Sequence, residues 1–297
     1  MRRPSPMRQQ GFGLLAFVML ISVIALTLVT AYAGIMTRRE ASELPSKQAN
    51  YLEQATKQVE DLWRLKAYSL DETGSSNTVT APDVLTAAGV QSRYGVHAAL
   101  SQVLIDPQDN LPYRVLVLYL SAESDSTTPL DINSFEQTGV FVSCPSNSTQ
   151  CLSRIFSVFS SLDIERDLAK ETQLRLARIA QKAQSYFKAR MLQDPERNVS
   201  VNYFRMPFGA CTVMPLDLDC MDTYQPLAVM DSLEGYSLTQ MATSLALTNE
   251  ELFSAWGMPL QASNLQDSIT SDAPYTMSFR AASPSGSYYT VKAVQQF

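Results

Sequence analysis

Three carboxylates stand close together in PLDLDCMDTY, at Asp217, Asp219 and Asp222. Closely spaced oxygen ligands are what a calcium ion takes. The glycine and closing glutamate of an EF-hand loop are absent, so the segment reads first as an acidic, solvated loop beside Cys220, with calcium binding the weaker expectation. The four cysteines fall as two close pairs, Cys144 with Cys151 and Cys211 with Cys220. An even count in an exported chain points to disulfides, and the two sequence-local bridges are the simplest of three possible connectivities. Neither pair has CxxC spacing and the single histidine, His97, is far from both, so zinc is not expected. His97 has no GxSxG nucleophile signature or His/Asp pattern to work with, and no Walker loop or dinucleotide fingerprint occurs. It reads as a structural or surface histidine, and neither an enzyme nor a cofactor is expected. The Asn-x-Ser/Thr triplets at Asn147 and Asn198 matter only in a eukaryotic secretory route.

Such residues need a scaffold, and the composition allows a large one. The chain has 297 residues, 45% hydrophobic and 18% charged, enough for a sizeable core and two modest domains. With net charge -6 and pI about 4.9 it offers no basic face, so nucleic-acid binding is not expected. Phe12 to Met36 is free of charged residues and, at about 1.5 Å per helical residue, exceeds the roughly 30 Å of a bilayer's hydrocarbon. Arg2, Arg3 and Arg8 precede it, while Arg38 and Arg39 follow with Glu40, which favours a cytoplasmic N-terminus and an exported remainder. A cleaved secretory signal is the minority reading: the run is too long, and Thr30-Ala31-Tyr32-Ala33 only imitates a cleavage site.

Pro45 should break or kink the helix after this run. Beyond it, Leu52, Ala55, Val59, Leu62 and Lys66 step by three or four residues, with Glu53, Lys57 and Asp61 on other faces. Trp63 belongs with the buried stripe. YRVLVLYL, Tyr113 to Leu120, reads as a buried strand, and GVFVSC with SRIFSVFS as a hairpin stapled by the first cysteine pair. A second amphipathic helix begins near residue 162, with Leu168, Thr172, Leu176, Ile179, Ala183 and Phe187 in register. At the far end, YYTVKAV pairs with PYTMSF across a Pro-Ser-Gly turn.

The two halves also echo one another. Tyr94-Gly95, Ser101 and Pro112-Tyr113 recur as Trp256-Gly257, Ser263 and Pro274-Tyr275 at a constant offset, which suggests tandem modules. The helices do not keep that offset, so the second module would carry an insertion, and it contains Cys211 to Cys220.

Gly11-Phe12 after a short Arg-containing leader, the apolar helix, its continuation into a head, and Trp256-Gly257-x-Pro259 before a last hairpin resemble the type IV pilin and type II secretion pseudopilin superfamily. The resemblance implies that a prepilin peptidase cuts between Gly11 and Phe12 and methylates the new amine. It also implies assembly into a fibre with major and minor pilins on an inner-membrane platform. The fifth mature residue would be Ala16, where the family usually has a glutamate that meets a neighbour's N-terminal ammonium. A lone charge in hydrocarbon costs several kcal/mol unless paired. A subunit without that carboxylate therefore suits a tip or initiating position, as a minor pilin.

The expected fold is α+β: a transmembrane helix continuing into an amphipathic helix packed on antiparallel sheet, in two tandem pilin-like modules. The expected organisation is a leader over 1-11, a membrane and polymerisation helix over 12-36, and head modules over 37-161 and 162-297. The rival expectation is a single-span, membrane-anchored periplasmic binding or scaffold protein with an uncleaved signal anchor.

Overall fold

The structure, a computed structural model, describes residues 10–74, 79–91, 93–120, 132–141, 156–204, 224–227, 242–243, 245–263 and 273–296. Cys144, Cys151, Cys211, Cys220, Asp217, Asp219 and Asp222 lie outside the described residues, so the disulfide and calcium expectations stand as sequence readings. The protein is α+β, with an N-terminal apolar helix and antiparallel sheets. Residues 1–54 and residues 55–297 form two compact units.

The first unit is helical. α1 runs from Gln10 to Asp71 and so carries Gly11, Phe12 and Ala16 within its opening turns. The helix passes through Pro45 without ending, contrary to the expected break. A proline costs a helix interior about 3 kcal/mol. Glu43 pairs with both Arg39 and Lys47, at 3.3 and 3.1 Å, but such exposed pairs return only about 0.3–0.5 kcal/mol each, so they offset part of that cost and no more.

In the second unit, the one non-helical residue inside α1 is Lys66, at φ −130°, ψ 19°. Lys66 is exposed, and the buried stripe runs instead through Ala55, Val59, Leu62, Trp63, Ala67 and Leu70. A lysine at the stripe's expected position would have had to bury an ammonium without a partner, and the break turns it outward.

After α1 come α2 (Ala81–Ala87), β1 (Val96–Leu100), β2 (Leu104–Ile105), β3 (Pro112–Tyr113), β4 (Val115–Leu120), α3 (Ile132–Thr138) and β5 (Phe156–Ser160). α2 starts on a capping box between Thr80 and Asp83, with a proline in its first turn. β1, β4 and β5 make an antiparallel sheet with β4 in the middle. All six residues of β4 are buried, because both faces are covered. Val115, Val117 and Tyr119 cluster with Ala99 and with Phe135 of α3. Leu116 on the other face lies opposite Phe159, whose ring meets Trp63 of α1 in a tilted contact at 5.1 Å.

Two sequence expectations change here. The run from Tyr113 to Leu120 divides at Arg114 into β3, which pairs with β2, and β4, which pairs with β1 and β5. β5 pairs with β4, while Gly139, Val140 and Phe141 are not in a strand, although the Phe141 ring meets Phe156 at a tilt, 4.6 Å between centroids. β4 offers β5 a fully apolar neighbour, which a short local hairpin does not.

α4 (Leu162–Gln193) then leads to β6 (Tyr224–Pro226), a 3-10 turn at Asn249–Leu252, β7 (Gln261–Ser263), β8 (Thr276–Ala282) and β9 (Tyr288–Val294). The second sheet is antiparallel in the order β6-β7-β8-β9. Its core joins Leu176, Ile179, Ala183 and Phe187 of α4 to Met277, Phe279, Ala281 and Ala293. Leu168 is only half-buried, and its place in the stripe goes to Ala169 and, unexpectedly, Glu165. The closing hairpin pairs Thr276 with Val294 through Ala282 with Tyr288, and Gly286 takes φ +77° in its turn.

Candidate functional site

Two regions of the described chain are built for more than packing. The first is the apolar stretch of α1. Phe17–Thr37, 21 residues, is long and apolar enough to cross a membrane. Its side chains have no protein cover, with Leu26 67% and Val29 65% exposed. Ser22, Thr27, Thr30 and Thr37 turn their hydroxyls back onto carbonyls three or four residues earlier, so these serine and threonine groups are satisfied within the helix. Their hydroxyls therefore do not stop the helix from lying in hydrocarbon or against other apolar helices.

The second region is a buried polar cluster where the end of α1 meets the start of α4. Asp71, the last residue of α1, is fully buried. Its Oδ2 accepts hydrogen bonds from Trp63 Nε1 at 2.9 Å and from Ser161 Oγ at 2.7 Å. Arg114 Nε lies 4.0 Å from Asp71 Oδ1 and donates to the Leu70 carbonyl at 2.9 Å, while Nη1 donates to the Ser101 carbonyl at 3.1 Å. Arg114 is thus the cation of the site, clamped by two backbone oxygens. Ser161 also accepts from the Arg114 amide, which splices β4 to the entry of α4.

Glu165, in the first turns of α4, is also fully buried and accepts from Trp256 Nε1 at 2.8 Å. Trp256 is held in place from α4 itself. Thr172 Oγ1 accepts from the Ala255 amide at 3.0 Å, Arg175 donates to the Phe253 carbonyl at 3.0 Å, and Lys182 pairs with Glu251 at 2.7 Å. Gly257 follows at φ +79°, a conformation that favours glycine, so the Trp-Gly pair is a turn that delivers its indole to Glu165.

Asp71 and Glu165 meet at Ser161, whose hydroxyl donates to Asp71 while its carbonyl accepts from the Glu165 amide at 2.9 Å. Asp71 Oδ1 and Glu165 Oε1 are buried with no hydrogen-bond partner. A proton on one of the two carboxyls relieves both the missing donor and the repulsion between them. Burial raises both above the usual carboxyl range. Asp71 is held back by Ser161, Trp63 and Arg114; Glu165, facing the Asp71 charge with one indole donor, is pushed further, to about 9. The α4 dipole favours an ionised Glu165 by no more than about 1 kcal/mol, against several kcal/mol for an unpaired buried charge. Of the two, Glu165 is the more strongly pushed toward its protonated form.

Arg114 also forms the floor of a cleft of 760 Å³ beside β1, lined by Thr80, Ala98, Ser101, Gln102 and Glu136 among others. The Ser101 hydroxyl is committed to the Val115 amide and the Gln102 carbonyl. His97 does not line this cleft; it is exposed on β1 and stacks on Tyr119 at 5.6 Å. Among the described residues no three His, Cys, Asp or Glu side chains gather as a metal site.

The structure therefore places Gly11, Phe12 and Ala16 in one helix and brings Trp256 to a carboxyl pair that the sequence reading did not single out. A signal for that pair was present: an arginine at the mouth of a fully apolar strand must bury its charge, and needs an anion. No family model, curated protein or solved structure matches the chain.

Proposed function

We propose that this chain is a minor pilin-like subunit, placed at the tip or at the initiation point of a type IV pilus or type II secretion-like fibre, and not an enzyme. One observation carries the reading. A single helix begins at Gln10, carries the Gly11-Phe12 step, is uncovered and apolar through Phe17–Thr37, and ends packed on an antiparallel sheet. That combination of lipid-compatible helix and head is what fibre assembly from a membrane needs.

Two tandem head modules are part of this reading, and the strand order supports them. β1-β4-β5, and the last three strands of the four-stranded β6-β7-β8-β9 sheet, are both antiparallel. Gly95, directly before β1, and Gly257, with three residues between it and β7, both take positive φ. Trp63 of α1 and Phe187 of α4 each sit fully buried against their sheet.

The subunit is processed between Gly11 and Phe12 by a prepilin peptidase, sits in the inner membrane with its N-terminus cytoplasmic, and leaves it laterally to join major and minor pilins on the assembly platform. Ala16, in place of the family's glutamate, restricts it to a position with no preceding neighbour. The test is intact mass with N-terminal peptide mapping of the protein from its native membrane. A chain starting at Phe12 with a methylated amine is the expected result. A chain retaining residues 2–11 would make it an anchored periplasmic protein and sink the pilin reading.

A further inference from the structure

We propose that Asp71 and Glu165 share one proton that fastens the end of α1 to the first turns of α4, and that losing it in alkali unlatches this joint of the head. Two fully buried carboxyls, joined through Ser161, each keep one oxygen without a hydrogen-bond partner. Around them stand Trp63 from α1, Arg114 from the entry to β4, Ser161 from the start of α4 and Trp256 from the turn before β7. Tyr289 of β9 stacks on Trp256 at 5.9 Å, and its phenol is pushed up by burial first, then by Asp109 and Glu165. Arg114 is the one cation among these groups. With the proton present the cluster holds one anion and one cation. Without it a second anion has no counter-charge and no water, and separating α4 from α1 is the cheapest relief.

The sign of the pH effect follows. Glu165 rises from its ordinary 4.5 to about 9 and Asp71 from 3.8 to about 6, so the folded head keeps protons that the unfolded chain has released. The stabilisation is complete below the ordinary carboxyl range and is lost as pH climbs toward about 9. One such proton changes the unfolding constant by up to tenfold per pH unit.

The chain contains two tryptophans, and both donate their indole N–H to this pair, so intrinsic emission reports directly on it. The experiment follows emission of the full chain in detergent micelles between about pH 6 and about pH 10, with urea unfolding across the same range. The wild type should show an alkaline emission transition and an unfolding constant that grows with pH. Glu165→Gln keeps the shape of the protonated acid, a donor for Asp71 and an acceptor for Trp256, and should abolish both. Asp71→Asn removes the opposing charge and should move the transition to lower pH. If Glu165→Gln keeps the transition, the shared proton is not its cause. Should the variants fail to fold, the wild type still decides: stability that is flat or rising between about pH 6 and about pH 8 overturns the latch.

Discussion

Arg114 meets three demands with one side chain, and lysine cannot replace it. Its guanidinium donates from two different nitrogens to the carbonyls of Leu70 and Ser101 while standing 4.0 Å from Asp71. A planar fork can reach those oxygens at once, whereas an ammonium is a single flexible point. Arg114→Met should therefore cost about 3–5 kcal/mol, the usual price of breaking a buried pair and leaving its partner uncompensated. Urea midpoints of the full chain at neutral pH measure it, and Arg114→Lys should recover less than half of the loss. A cost below about 1 kcal/mol for the methionine variant would mean that Asp71 is neutral there and that the charges are assigned wrongly. Gln or Asn at Asp71 is a different experiment, since it removes the anion along with the need for the cation.

At the scale of elements, packing on α4 separates residues that composition alone would treat alike. Ile179 is fully buried between the helix and the second sheet, while Leu174 is 46% exposed on the same helix. Ile179→Ala should cost about 2–5 kcal/mol and Leu174→Ala less than about 0.5, read from the same unfolding curves. Equal effects would mean that α4 does not pack as described. Much of α4 was legible in advance, since Thr172, Leu176, Ile179, Ala183 and Phe187 keep a spacing that only a helix turns to one side. The β8–β9 hairpin was legible too, from local alternation around Pro-Ser-Gly. Glu165 was not, because an acidic residue in a first helical turn ordinarily faces water and favours the dipole, and only the approach of Asp71 and Trp256 from distant segments buries it. The pairing of β5 with β4 was hidden for the same reason: periodicity carries which face is apolar, and says nothing about which non-local strand covers it. Pro45 misled in the other direction, since its local cost is real and the helix persists regardless.

For the whole molecule, the tip position depends on one missing charge. If Phe12 is the mature N-terminus, Ala16 follows it by one turn of α1, so a subunit in the shaft would bring to the preceding subunit's ammonium a helix with no carboxylate to meet it. An unpaired charge in apolar surroundings costs several kcal/mol, enough to exclude the chain from every position that has a preceding neighbour. Ala16→Glu supplies the carboxylate at the fifth mature position and leaves the sequence of the head unchanged. The expected outcome is redistribution: immunogold label on the second module should move from fibre ends to points along the shaft, and fibre number should fall as initiating subunits are consumed. Membrane levels of the variant, measured alongside, distinguish redistribution from loss of the protein. Label that stays at the ends, with fibre number unchanged, would remove position five from the argument and leave the size of the head as the reason for an end position.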